Sequence, residues 1–305
     1  MKEFEDINYS IWCDFIERDF LENRFQEIIN DEVIKGATSN PAIFEASITG
    51  SVAYKQQLDM LQANDQKKIY EELAFKDIRR AAELLEPLYK IDTNNGFISI
   101  EVDPLLCDDA AGTIEEGLRI YKSLNADNVM IKIPATDAGY IAMRELSSRG
   151  IHINATLIFS PQQARNCAIA LDDGIKASNK DTKGVVSVFV SRFDRLMDTT
   201  LGAKGLATSK LGTGVKGNEL SPTYYIDNLI YPNSVNTAPL GTIEDWLKDG
   251  KKEQSVIISE DECDKYFKSL EQNGIKLKDV YEKLLSEGLD AFKVSFKELL
   301  SKLKH

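Results

Sequence analysis

Short runs of apolar, largely β-branched residues recur along the chain, each followed by a longer stretch with apolar positions three to five apart. The runs predict strands at residues 10–15, 34–39, 97–102, 128–134, 151–159 and 184–190. Ile69, Leu73, Ile78, Ala81, Leu85 and Leu88 share one stripe and predict a helix over residues 67–90. Residues 93–96, ending in Gly96, turn the chain into the third strand. Ser160 followed by Pro161 is a capping residue with proline at the first helical position, and it opens a helix over residues 162–176. Two amphipathic helices, 261–272 and 278–303, close the chain, with Leu284, Leu289, Phe292, Phe296 and Leu299 as apolar positions of the second.

Strands alternating with helices imply a parallel sheet wrapped by helices. No Gly-x-Gly-x-x-Gly follows the first strand, so closure into a barrel is more natural than a dinucleotide-binding half. The expectation is an α/β chain folded as one (β/α)8 TIM barrel domain over residues 1–305. Additional helices flank it at both ends, and those of residues 259–304 pack on the barrel exterior. One stretch breaks the pattern. Between a helix starting near Ala203 and the loop Thr213, Gly214, Val215, Lys216, too little chain remains to finish a helix and then cross a barrel. The seventh strand is expected to be largely absent, as though a segment were missing near Gly212.

Composition narrows the function classes. With 49 acidic residues against 37 Lys and Arg the formal charge is −12, which repels nucleic acid and anionic lipid but still permits a small anion on a few local cations. The four cysteines are dispersed, without a Cys-x-x-Cys or a nearby histidine pair, so neither a disulfide framework nor a metal site is expected. Of the two histidines, His305 is the last residue, so a histidine base would have to be His152. The first residues lack a basic start and apolar stretch, and no apolar run reaches the roughly 20 residues of a membrane span. A cytoplasmic protein is expected.

In a (β/α)8 barrel, chemistry sits at the C-terminal ends of the strands, and here those positions are unusually polar. Lys132 stands in Val129, Met130, Ile131, Lys132, Ile133, Pro134, a run that would be buried on both faces. Desolvation disfavours an ammonium, which leaves free amine to attack a carbonyl and form an imine. The alternative is a lysine paired with Asp14 or Glu101 without chemical purpose. Those two carboxylates in different environments could divide acid and base roles. Glu101 could equally be solvated at a strand end, and Asp14 could cap the following helix. Asn40 before Pro41 is a common turn element. Asn154 is poorly suited to a buried strand and implies a hydrogen-bonded partner, whereas Thr156 suits one on propensity alone. Arg192 after the sixth strand and Lys216 beside glycines could clamp a phosphate, or be solvated surface cations.

Taken together, these residues resemble the transaldolase family over most of the chain. Two segments carry the resemblance: Ala37, Thr38, Ser39, Asn40, Pro41, Ala42, Ile43, Phe44, and Ile131, Lys132, Ile133, Pro134, Ala135, Thr136, Asp137, Ala138, Gly139. The resemblance implies a cofactor-free enzyme that moves a three-carbon ketol unit between sugar phosphates. Lys132 would form the imine, Glu101 with Thr156 would handle the catalytic water, and Asp14 would exchange the proton of the fourth-carbon hydroxyl. Asn40, Asn154 and Ser187 would hold the ketol hydroxyls, and Arg192 would bind phosphate with help from Lys216. The donor would be fructose 6-phosphate or sedoheptulose 7-phosphate, the acceptor erythrose 4-phosphate or glyceraldehyde 3-phosphate. The related fructose 6-phosphate aldolases carry Gln where Glu101 stands and Tyr where Phe189 stands, so both positions favour transfer. Family members are often homodimers. The competing readings are an aldolase that releases free dihydroxyacetone and a silent barrel that only binds.

Overall fold

The computed structural model describes residues 2–204 and 221–303. After a 3-10 turn at Lys2–Ile7, the chain forms β1 (Tyr9–Cys13), α1 (Arg18–Glu22), α2 (Arg24–Asn30), β2 (Gly36–Thr38), α3 (Pro41–Gly50), α4 (Lys55–Leu61) and α5 (Gln66–Ile91). There follow β3 (Phe97–Glu101), α6 (Ala110–Leu124), β4 (Val129–Pro134), α7 (Asp137–Ser148), β5 (His152–Ile158), α8 (Pro161–Ala177), β6 (Gly184–Val188) and α9 (Ser191–Ala203). The last elements are α10 (Tyr224–Asn228), β7 (Ser234–Ala238), α11 (Leu240–Asp249), α12 (Glu260–Gln272) and α13 (Leu277–Lys302).

The strands make one parallel sheet in the order β6-β5-β4-β3-β2-β1-β7, flanked by helices, which is the architecture of a (β/α)8 TIM barrel. β7 pairs with β1, the place of the eighth strand in a closed barrel. The seventh place is not filled among the described residues. Residues 205–220, where the sequence runs short, lie outside them, and so does Lys216. The helix expected to start near Ala203 instead begins at Ser191, directly after β6, and ends at Ala203. β7 escapes sequence detection because it is short and half exposed, with only Val235 and Ala238 apolar.

Side chains alternate along each strand, and the two faces have different jobs. Ile98, Ile100, Ile131, Ile133, Ile153 and Ala155 face outward and join the main core with Leu73, Leu85, Ile120, Leu146 and Leu171 of the surrounding helices. Facing inward, Trp12, Phe97 and Met130, with Val185, form a separate cluster that closes the floor of the barrel. The His152 ring lies edge-on to Phe97 at 5.0 Å. Its Nδ1 accepts from the Lys183 amide, and burial lowers its pKa to about 4. A neutral histidine packed into the floor is a structural residue.

Caps set the helix starts: Asp65 on α5, Asp109 on α6, Thr136 on α7, Ser160 on α8, and a Ser259/Glu262 capping box on α12. α13 buries Leu284, Gly288, Phe292, Phe296 and Leu299. It runs against α3, α5 and the end of β5, across the rim where the strands finish. No described helix is long and apolar enough to cross a membrane.

The turn from β4 into α7 is tight. Thr136 Oγ1 accepts from the Gly139 amide at 3.0 Å, and a Cβ at Gly139 would overlap the Pro134 carbonyl. Gly139→Ala is therefore expected to lower stability by about 2 kcal/mol despite alanine's higher helix propensity. Urea unfolding reads this directly, and an unchanged midpoint would show that the turn can open without cost.

Candidate active site

Each polar residue of the barrel interior stands two or four positions beyond a floor residue on its own strand. Asp14 follows Trp12, Ser99 and Glu101 follow Phe97, Lys132 follows Met130, Asn154 and Thr156 follow His152, and Ser187 follows Val185. A period of two keeps them on the same inward face, nearer the C-terminal rim. Register then sets them side by side, with Glu101 opposite Lys132 and Lys132 opposite Asn154.

Lys132 is 5% exposed. Its Nζ donates one hydrogen bond, to the Ser39 carbonyl at 3.3 Å, and lies 3.9 Å from Glu101 Oε2. That second distance is too long for a hydrogen bond. Glu101 Oε2 is buried and has no hydrogen-bond partner among the described residues. A structural ion pair repays its desolvation only when both groups are saturated, and neither condition holds here. The two groups pair by proximity and not by a hydrogen bond. The amine and the carboxyl are close, buried and, among the described residues, incompletely satisfied.

Burial pushes the Glu101 carboxyl up to about 7; Lys132 opposes this, Asp14 reinforces it, and Arg192 opposes it. Glu101 is thus neither solvated nor an ordinary strand-end carboxylate. It can hold or release a proton near neutral pH.

Asp14 does not cap the next helix, because the N-cap of α1 is Glu17. Instead its Oδ1 accepts from Thr38 Oγ1 at 2.5 Å, which fixes the carboxylate at the mouth. The segment around Asn40 is explained locally. Ser39 Oγ donates to the Ser99 carbonyl, and Asn40 Oδ1 caps α3 through the Ile43 amide at 3.0 Å. Pro41 opens the helix, and the Phe44 ring is buried against Tyr70. Asn40 is therefore the turn element that its sequence context suggested, and its Nδ2 has no hydrogen bond among the described residues.

Asn154, only 1% exposed, has the partners that a buried amide demands. Its Nδ2 donates to Ser99 Oγ at 3.0 Å and its Oδ1 accepts from Ser187 Oγ at 2.8 Å. This chain of three polar groups passes across the barrel interior past Lys132. Thr156 is fully buried, and its Oγ1, like Glu101 Oε2, has no described partner.

Arg192, in the first turn of α9, rests its guanidinium on two rings, 5.4 Å from the Phe189 centroid and 5.8 Å from that of Phe292 on α13. Burial lowers its pKa, as does Arg195, while Glu101 and Glu287 raise it. Arg192 and Glu101 thus feel each other across the mouth. Among the described residues no group of His, Cys, Asp and Glu is placed to hold a metal ion.

Sequence reasoning missed three contributors. Ser39 and Ser99 supply the hydrogen bonds of Lys132 and Asn154; Ser99 was recoverable as the inward residue two before Glu101. Leu157 left no sequence signal. It has φ of 56° inside β5, where the register with β6 shifts between Ala155 and Ile158. A buried leucine in the left-handed region is strained, and it marks a bulge beside the polar cluster.

The raised Glu101 pKa has a sign that stability measurements can read. Unfolded, the carboxyl titrates near ~4.3; folded, near 7. Its contribution is fully present below the lower value and is lost as pH rises through the upper one. The stability of wild type relative to Glu101→Gln should fall by on the order of 3 kcal/mol across that window and level off above it. Urea titrations at a series of pH values give the curve, and a flat difference would mean an ordinary carboxyl.

The family model described as transaldolase/fructose-6-phosphate aldolase matches residues 11–303. A transaldolase of Helicobacter pylori (strain Shi470) is 44% identical over 316 aligned residues, taking in 96% of this chain and 98% of the relative. The transaldolase of Campylobacter jejuni subsp. jejuni serotype O:6 is 40% identical over 339, taking in 97% and 99%. Likeness at this level from one end of the barrel to the other reaches well past the two motifs: the chain belongs to the transaldolase/fructose-6-phosphate aldolase family.

Proposed function

We propose that this enzyme transfers a dihydroxyacetone unit between sugar phosphates, converting sedoheptulose 7-phosphate and glyceraldehyde 3-phosphate into erythrose 4-phosphate and fructose 6-phosphate through an imine on Lys132. The observation that carries the reading is the buried pair of Lys132 and Glu101, close but not hydrogen-bonded to each other. Sugar phosphates as substrates fit the family.

In this mechanism the Lys132 amine adds to the ketose carbonyl, and loss of water gives the imine. Asp14, oriented by Thr38, takes the proton of the fourth-carbon hydroxyl. The bond between the third and fourth carbons then breaks, its electrons pass into the imine to give an enamine, and the aldehyde product leaves. The enamine attacks the incoming aldehyde, Asp14 returns the proton, and water releases the new ketose. Glu101 and Thr156, each with an oxygen that has no partner among the described residues, hold that water, and the near-neutral carboxyl relays its proton. Asn40, through its Nδ2, binds the ketol hydroxyls together with Asn154 and Ser187. Arg192 takes the phosphate; Lys216 is retained as its second cation on the sequence resemblance alone. We further propose that residues 1–305 act as one barrel domain in the cytoplasm, as a homodimer, with no metal or organic cofactor and no nucleic-acid partner, in keeping with the charge of −12.

The alternative is an aldolase releasing free dihydroxyacetone, since the family includes both activities. Glu101 and Phe189, in place of the aldolases' Gln and Tyr, favour transfer.

Borohydride reduction in the presence of fructose 6-phosphate should leave a three-carbon adduct on the peptide holding Lys132. Lys132→Met should lose both the adduct and roughly a thousandfold or more of kcat. An adduct elsewhere, or none, removes the central claim. Donor cleavage should be slow without an acceptor aldehyde and rise at least tenfold, roughly, once one is added; rapid acceptor-free release would make the enzyme an aldolase.

A further inference from the structure

Gly288 lies in the buried stripe of α13, between Leu284 and Phe292. A helix interior is where glycine is least favoured after proline, so local propensity does not account for it. Its surroundings do. A Cβ there would stand 3.2 Å from Arg192 Nη1, 3.2 Å from Leu157 Cδ2 and 3.4 Å from Phe159 Cε2. Leu157 and Phe159 belong to one buried cluster with Leu284 and Phe292, and Leu157 is already held in the left-handed region. Those two neighbours cannot shift without disturbing the end of β5. The Arg192 guanidinium is the far end of a long side chain held by ring stacking, so it is the group that would yield.

We infer that Gly288 is a positioning residue for phosphate recognition: its missing side chain lets α13 close onto the end of β5 and seats the Arg192 guanidinium between Phe189 and Phe292. The inference rests on the reading of Arg192 as the phosphate ligand. A fork that recognises phosphate through paired N–H donors tolerates little displacement, so tenths of an ångström register in affinity for phosphate and not in imine chemistry at Lys132.

The test compares Gly288→Ala with Arg192→Ala and with Gly241→Ala, a helical glycine whose added Cβ would meet nothing within 4 Å. KM for fructose 6-phosphate and the inhibition constant of inorganic phosphate are measured, together with borohydride trapping of the imine from dihydroxyacetone, which carries no phosphate. For Gly288→Ala, both phosphate-dependent constants should rise roughly three- to tenfold while trapping changes less than about twofold. The melting temperature should hold or rise, as alanine favours a helix. Gly241→Ala should leave both phosphate-dependent constants and trapping unchanged, whatever its helix propensity does to the melting temperature. Equal losses in trapping and in phosphate affinity, or a lowered melting temperature with unchanged constants, would reduce Gly288 to a packing residue and overturn the inference. If Arg192→Ala raises the phosphate constants and Gly288→Ala does not, the inference fails while the Arg192 reading stands. If Arg192→Ala leaves them unchanged, both fall. Should Gly288→Ala not fold, Phe292→Leu, which removes one ring from the guanidinium, is read by the same criteria.

Discussion

Everything at the mouth of this barrel is arranged around an amine and a carboxyl held 3.9 Å apart in an interior that, among the described residues, saturates neither. Left alone, such a pair would be a liability, since charges taken out of water cost several kcal/mol apiece, in rough terms, unless geometry and hydrogen bonds repay them. The structure limits that cost by pushing the Glu101 carboxyl toward its neutral form and by giving Lys132 one backbone carbonyl. The rigidity needed to hold the pair comes from elsewhere. Ser39 is fixed to β3 through the Ser99 carbonyl, Asn154 is tied at both ends, and the aromatic floor prevents collapse from below.

The fold was largely legible, because strands buried on one side by helices and on the other by a barrel interior leave short, dense apolar runs. Six of the seven described strands lay in such runs. β7 did not, since only Val235 and Ala238 of its five residues are apolar and Val235 is exposed. The site was legible in kind but not in detail. Period-two alternation in a known strand is enough to group Glu101, Lys132 and Asn154, once register is granted. Register itself is set by long-range pairing, so no local reading could have shown that Ser39 completes the cluster, whereas Ser99 shares the inward face of β3 with Glu101. Asp14 and Asn40 show the reverse limit: each had an ordinary local explanation, a helix cap for Asp14, which fails because Glu17 takes that place, and a turn for Asn40, which caps α3.

The division of labour along each strand also explains why His152 is not chemical. It occupies the level of the floor, two positions below Asn154, where burial among Phe97 and Tyr89 strips it of charge. Residue type proposes a role, and height within the barrel decides it. The same logic separates the two motifs. Pro41, Thr136 and Gly139 shape turns and caps, Phe44, Ile131 and Ile133 fill the core beneath the helices, and Lys132 meets the interior.

The bulge at Leu157 has a consequence for parity. Below it β5 is offset from β6 by one count, and above it by another, because one strand carries an extra residue over the same rise. Inward and outward therefore exchange places at that point in any comparison with an unbulged strand. A residue copied from such a strand onto the end of β5 by counting from its start would arrive facing the helices instead of the substrate.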